Sequence, residues 1–390
     1  MQASGAGKTS RVRTAVLALC SALVALGLFV IVAEAALRLL PVASGLRTLG
    51  VNQANPVFHM APNRDYVYSR DWDLAMVNRG RINNAGFAND QDYVRDGPPL
   101  LAVIGDSYIE ALMVPYAETL QGRLAKALAG KARVYSFGAS GAPLSQYLVW
   151  ARNAVREYGA AALLINVVGN DFDESLADYR VAQGFWLYAA KPDGGLKLEL
   201  VDYRPGILRA AAGYSAFMRY AFFNLRVQDA PQNLAAAANG LFARLHAGAD
   251  PERTADAAAQ PQYAGNTAAA ADEARMKKSL AVIDAFFADL PVMTGLPADR
   301  IVFTLDGFRY PEAASGAAGS YFDVMRREFM ARAGARGYEA IDLDPAFFAR
   351  HRATGERFDF PPRDGHWNAN GHAVAAGEAL KSRVVQSIGR

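Results

Sequence analysis

The sequence predicts an α/β protein built on a parallel sheet covered by helices on both faces, preceded by a single apolar helix. Three observations carry this expectation. Short apolar runs alternate with helical patterns from residue 100 onward, polar clusters able to do chemistry follow several of those runs, and twenty uncharged residues stand together near the N-terminus. With 390 residues, 52% of them apolar and 20% charged, the chain can bury a large core, which excludes wholesale disorder. Length alone suggests about two to three domains, although one α/β unit with insertions can absorb most of it.

Residues 1–13 carry Lys8, Arg11 and Arg13 and no acid, so the net charge of +3 sits there, and the remaining bases and acids balance. A neutral body argues against a nucleic-acid partner, which needs a basic surface to displace counterions from phosphate. Thr14 to Ala33 (TAVLALCSALVALGLFVIVA) is uncharged and as a helix spans roughly 30 Å, the thickness of a bilayer core. No polar face interrupts it, and it exceeds the apolar region of about 7 to 15 residues in a cleaved signal peptide, for which Ala33-Glu34-Ala35 would be the cleavage site. The reading is therefore a cytoplasmic basic segment at 1–13, a single-pass membrane anchor at 14–33, and an extracytoplasmic, periplasmic remainder, since basic residues stay on the cytoplasmic side. The lone Cys20 excludes a disulfide framework and a multi-cysteine metal site. Leu19 stands before it where a lipoprotein would need a small residue, so the thiol is read as inert. GAGKTS at 5–10 lacks both the upstream Gly and the preceding strand of a phosphate-binding loop.

Beyond the anchor, residues 34–98 are mixed, end in RDGPP, and read as stalk and lead-in. The catalytic-type domain is expected over 99–390, with strands at LLAVI from Leu100, Val134 to Phe137, Ala162 to Val168, Ile301 to Leu305 and Tyr338 to Ile341. Helical patterns lie at 118–128, 145–158, 273–289, 319–334 and 371–385. An insertion at about 172–272 separates the third strand from the fourth. It carries two aromatic segments, GFWLY and GYSAFMRYAFFNLRV at 213–227; the second, read as a helix, is expected to pack in the core, with a lid or a membrane-facing surface as the alternative, and the Ala, Asp and Pro-rich tract at 247–272 is expected to be flexible.

In parallel sheets ligands bind beyond the carboxyl ends of the strands. AVIGDSYIE places Ser107 just after the first run, where a Ser can equally be a helix cap. VYSFGASGAP places Gly138 and Gly141 after the second, where the backbone can approach a substrate, and INVVGNDFDE places Asn170 and Asp171 after the third, where a turn or cap explains them equally well. RDGHWNANGH carries Asp364 and His366 two residues apart, so that the carboxylate can accept the imidazole Nδ1 proton and leave Nε2 as a base. His372 falls in the first turn of the last helix. Ser140 is a rival nucleophile, but Ala142 replaces the final Gly of a G-x-S-x-G elbow. A metal site of Asp364, His366 and His372 lacks any supporting helical H-E-x-x-H pattern.

The succession Gly-Asp-Ser, Gly, Gly-Asn-Asp and Asp-x-His, from Pro99 to about Leu380, resembles the SGNH (GDSL) hydrolase family. Asp three residues before the His is replaced by Arg363, and the Asp-x-His-Trp form resembles that of alginate O-acetylation proteins and their membrane-anchored relatives. GRINNAGFAND at 80–90 is similar to the Asn-x-x-Gly-Phe-Arg stretch of such members, with Ala88 at the Arg position. The resemblance implies a three-layer α/β/α sandwich on a central, mostly parallel five-stranded sheet of flavodoxin-like type. It implies Ser107 as nucleophile, His366 as general base and Asp364 as orienting acid, with an oxyanion hole from the N–H groups of Ser107 and Gly141 and the Asn170 amide, and no cofactor. The expected function is a membrane-anchored serine esterase acting on short acyl, above all acetyl, esters of an envelope carbohydrate or lipid, in company with envelope polysaccharide machinery. Two alternatives remain: an O-acetyltransferase with the same Ser-His-Asp site, and a non-catalytic glycan-binding or scaffold module using the aromatic insertion.

Overall fold

The structure of the protein is a computed structural model that describes residues 5–207, 210, 213–227 and 271–388. The expected flexible tract lies, up to residue 270, outside the described residues. The chain forms two compact units: one takes in the N-terminal segment to residue 44, residues 67–77 and the described residues between 206 and 227, and the other takes in 45–66, 78–205 and 271–388.

A two-stranded sheet of β1 (Arg64–Arg70) and β2 (Met76–Ile82) precedes the central one. The central sheet consists of β3 (Leu100–Gly105), β4 (Arg133–Gly138), β5 (Ala160–Val167), β8 (Ile301–Leu305) and β9 (Glu339–Asp342), in the order β4-β3-β5-β8-β9 with every pairing parallel. The five expected strands are thus present, each within two residues of its expected bounds. Between β5 and β8 an antiparallel hairpin, β6 (Trp186–Ala190) and β7 (Leu196–Leu200), buries Leu187 and Tyr188 in the core.

Strand side chains alternate between two cores, because successive residues point to opposite faces. Leu100, Ala102 and Ile104 meet one face, where α4 (Leu144–Tyr158) supplies Trp150 and the later helices α6 (Glu273–Thr294) and α8 (Tyr321–Ala335), which the short α7 (Pro311–Gly316) separates in the chain, supply Phe286 and Phe329. Leu101 and Val103 meet the other, against Leu124 of α3 (Leu120–Ala127), Phe347 of α9 (Asp344–Thr354), Ala375 of α10 (Ala369–Ala379) and Val384 of α11 (Arg383–Ser387). Helix, sheet and helix form three layers. The single helix expected at 371–385 is two, because the Ser382 hydroxyl accepts hydrogen bonds from the N–H groups of Val384 and Val385 and starts a new helix. Helix α9, opening with Asp-Pro, was not anticipated.

Of the residues read as stalk and lead-in, 45–66 and 78–98 belong to the same compact unit as the sheet. The reason is an unpaired sheet edge. Strand β4 lies at that edge, and Tyr93 covers it, its hydroxyl donating to the Ser136 carbonyl at 2.5 Å and accepting from the Ser136 N–H at 2.9 Å. Asn89 donates to Ser136 Oγ and Gln91 to the Val134 carbonyl. The lead-in thus satisfies backbone groups that would otherwise invite edge pairing.

The unit that begins at the N-terminus is led by α1 (Gly5–Arg38), whose side chains from Arg13 to Val32 are exposed. Its stretch Arg13–Arg38 is long and apolar enough to cross a membrane, a property that signal sequences share. The unit also holds the short helix α5 (Ala216–Arg219), which continues as a π-turn, Tyr220–Asn224. Core packing was expected for 213–227, and the structure departs from it. Tyr214, Phe223, Leu225 and Val227 are exposed, because α5 and its π-turn are held by hydrogen bonds at their ends rather than covered.

Replacing Tyr93 with Phe leaves a buried N–H and carbonyl of Ser136 unpaired and is expected to cost about 1–3 kcal/mol. A shift of the denaturant midpoint reads this out, and an unchanged midpoint would show that Tyr93 does not close the edge.

Candidate active site

The site forms where the strand order reverses, between β3 and β5, the place where open α/β sheets leave a crevice. Strand β3 ends at Gly105, and the chain turns into a single helical turn, α2 (Ser107–Glu110), capped by Asp106, whose Oδ1 accepts from the Tyr108 N–H at 3.0 Å. Ser107 is the first residue of that turn and is 9% exposed. The cap reading and the nucleophile reading are therefore not alternatives, because Asp106 does the capping and leaves the Ser107 hydroxyl available.

From the far end of the chain a tight loop delivers the other two groups. Phe360 and Asp364 exchange backbone hydrogen bonds, which fixes the start of the loop. His366 Nδ1 donates to Asp364 Oδ1 at 2.5 Å, and the same oxygen accepts from the His366 backbone N–H at 2.9 Å. A carboxylate can only accept, so Nε2 carries the lone pair, and it receives the Ser107 hydroxyl at 2.7 Å. The structure thus joins Ser107, His366 and Asp364 in one hydrogen-bonded chain. Asp106 Oδ2 lies 3.2 Å from Ser107 Oγ, a longer competitor for the same proton. Burial pushes the Asp106 carboxyl up to about 6, opposed by the Tyr108 N–H.

Behind this chain lies a buried ion pair that sequence reasoning missed. Arg309 is fully buried and bonds Asp306, at the end of β8, at 2.5 Å. The same guanidinium donates to the Gly365 carbonyl and to the Tyr108 hydroxyl. Asp306 accepts the Trp367 indole N–H at 2.9 Å. The pair therefore grips the residues on both sides of His366 and the residue after Ser107. Its only sequence signal was the position of Asp306 directly after a strand.

The loop after β4 carries Gly138 and Gly141. A Cβ on Gly138 would come within 2.8 Å of the Glu110 backbone nitrogen, so only glycine lets the loop lie against α2. Gly141 has φ +77°, a left-handed conformation that glycine adopts without strain. Ser140, the rival nucleophile, donates both its N–H, at 2.9 Å, and its hydroxyl to Glu110. Glu110 thus ties the loop of Gly141 to the turn of Ser107. Burial pushes its carboxyl up to about 7, with the Ser140 hydrogen bonds opposing.

After β5, the Asn170 amide donates to Glu174 Oε2 at 3.1 Å, and among the described residues its second N–H meets no protein acceptor. Arg180 pairs with Glu174 and donates to the Gly141 carbonyl at 3.2 Å, so one side chain braces both loops. Glu174 and Arg180 lie in the insertion and were not singled out by the sequence. Asp171 is structural: it accepts from the Val168 N–H and the Tyr147 hydroxyl, at 2.8 Å each, and burial holds its carboxyl well above the usual range. Among the described residues, the N–H groups of Ser107 and Gly141 donate to no protein acceptor. His372, in α10, accepts the Leu120 N–H at Nδ1, and burial pushes it down to about 3, so it is neutral and committed to packing.

No protein-family profile and no curated protein matches this chain. Solved structures with some likeness include a member of the lipolytic protein G-D-S-L family from Veillonella parvula, with 11% identity, a TM-score of 0.34, and 72% of this chain and 96% of that one covered. A carbohydrate acetylesterase family member from Sinorhizobium meliloti gives 11% identity, a TM-score of 0.35 and coverage of 75% and 100%. An SGNH hydrolase of Slackia heliotrinireducens gives 11%, 0.29, 73% and 99%.

The Glu110 carboxyl holds its proton more tightly in the native than in the unfolded chain, between its ordinary 4.5 and about 7. Across that window the native state binds more protons, so this group's contribution to stability falls as pH rises. Glu110→Gln keeps an acceptor for Ser140 and removes the titration. Its melting temperature relative to the unmodified protein is expected to rise from pH 4.5 to pH 8, and a pH-independent difference would contradict the assignment.

Proposed function

We propose that the protein is a serine esterase of the SGNH type, and the observation that carries the proposal is the hydrogen-bonded chain from Ser107 through His366 to Asp364. Ser107 Oγ attacks the carbonyl carbon of an ester while its proton passes to His366 Nε2. Asp364, with its acceptor oxygen already engaged by Nδ1–H, stabilises the imidazolium and keeps the ring in the tautomer that serves as base. The carbonyl electrons move onto oxygen, and the N–H groups of Ser107 and Gly141 with the free N–H of Asn170 are the donors proposed to meet that charge. Collapse expels the alcohol, which takes the proton from His366 and leaves acyl-Ser107. Water, deprotonated by the same imidazole, then releases the acid and restores the hydroxyl.

The low exposure of Ser107 supports a short acyl group such as acetyl. The apolar helix supports a membrane-anchored enzyme whose catalytic unit works outside the cytoplasm, on an acylated envelope carbohydrate or lipid.

A fluorophosphonate probe is expected to label the detergent-solubilised full chain and not its Ser107→Ala variant. Labelling that survives this change would refute Ser107 as nucleophile. Asn170→Ala is expected to lower kcat on a p-nitrophenyl acetate substrate by about 10²–10³-fold with little change in KM, the signature of a donor engaged only in the transition state. A loss confined to KM would remove Asn170 from the oxyanion site.

A further inference from the structure

We propose that residues 213–227, together with Leu39 and Leu40, form a collar lying in the headgroup region of the membrane, locked to the end of the anchor helix. The proposal rests on the reading of residues 14–33 as a membrane span.

Glu34 is the first charged residue after that span. Its carboxylate accepts the Ser215 hydroxyl at 2.8 Å and the N–H groups of Ala216 and Phe217 at 3.0 and 2.8 Å. Arg38, one turn further on, donates to Glu34 at 2.8 Å and to the Tyr214 carbonyl at 3.1 Å. Arg219 reaches back to the Ala43 carbonyl at 2.9 Å. These bonds set the depth of the 213–227 segment, because they hold it beside residues 34–43, where an apolar helix passes from hydrocarbon to headgroups.

What the segment presents there is apolar. Leu39 is 88% exposed and Tyr214 79%, and Met218, Phe223 and Leu225 are also open. Such a surface, with Arg38 and Arg219 among its residues, has the makeup of an interfacial element, in which aromatic and aliphatic side chains sit among the headgroups and bases meet phosphates. A groove of about 560 Å³ runs between Tyr214 and the last turns of the anchor, lined by Val30, Ile31 and Ala35 and bordered by Glu34 and Arg38. Val30 and Ile31 belong to the span, so whatever fills the groove lies at membrane depth, which favours lipid over a soluble partner. Cleavage after Ala35 would remove the carboxylate that caps Ser215–Phe217, so the collar also requires that the anchor be retained.

The test uses the full chain, purified through its C-terminus, with Cys20→Ser and single labelling sites at Tyr214→Cys, Met218→Cys, Leu23→Cys in the anchor and the exposed Val292→Cys as control. Each carries an environment-sensitive fluorophore and is reconstituted in vesicles of phosphatidylethanolamine and phosphatidylglycerol. Spin-labelled lipid should quench positions 23, 214 and 218, with 214 and 218 several-fold less accessible to aqueous iodide than 292. Glu34→Ala should release position 218 to iodide and leave 23 in lipid. Lipid quenching at 23 with 214 and 218 as open as 292 overturns the collar and leaves the anchor standing. Protection from iodide without lipid quenching assigns the cover to protein and also overturns it. Absence of label or of lipid quenching at position 23 overturns anchor and collar together.

Discussion

The Asp306–Arg309 ion pair is the interaction on which the site depends. Burying two charges is costly, and the cost is offset only where every polar atom around them is satisfied. Here the guanidinium bonds Asp306, the Gly365 carbonyl and the Tyr108 hydroxyl, while Asp306 also takes the Trp367 indole. Gly365 and Trp367 flank His366, and Tyr108 follows Ser107, so Ser107 and His366 are both referred to one fixed charge pair. Removing either partner leaves a buried charge alone, typically a loss of about 3–5 kcal/mol, and also loosens the two loops that must meet within hydrogen-bond reach.

Around this pair the site is crowded with carboxyl groups. Burial raises Asp106, Glu110, Asp171 and Glu174, and negative neighbours add to the shift for several of them. Each acts as an acceptor that arranges a loop: Asp106 caps the turn of Ser107, Glu110 holds Ser140 beside Gly141, Asp171 closes the turn after β5, and Glu174 orients the Asn170 amide. Arg180 links Glu174 to the Gly141 loop. The donors proposed for the oxyanion come from three strand ends, and this acidic scaffold gives each a defined position.

Much of this fold was legible because buried parallel strands read as short apolar runs bounded by turn residues, as LLAVI before Gly105 and Ile301 to Leu305 before Asp306 illustrate. The polar clusters after those strands were legible as positions, since ligands bind beyond strand ends, but position alone did not separate Asp106 and Asp171, which cap and close turns, from Ser107 and Asn170. Asp364 and His366 were readable as a pair because only Gly365 separates them. Arg309 was not, because its partners Tyr108 and Gly365 stand 201 and 56 residues away and no local pattern links them. Glu34 escaped notice too: beside an apolar run it reads as the charge that ends a span, and its role as cap depends on a segment 181 residues downstream. The exposed Tyr214 and Leu225 ran against the usual fate of aromatic-rich sequence, because partners at the segment's ends hold it in place without covering it.

The most direct measurement of the central claim is acid-quenched peptide mapping during turnover of an acetyl ester by the full chain. An acetyl group on the peptide containing Ser107, appearing as substrate is consumed and gone when it is exhausted, is the predicted result. Sustained hydrolysis with no acyl group on Ser107 at any time, or with the acyl group on another residue, would contradict it.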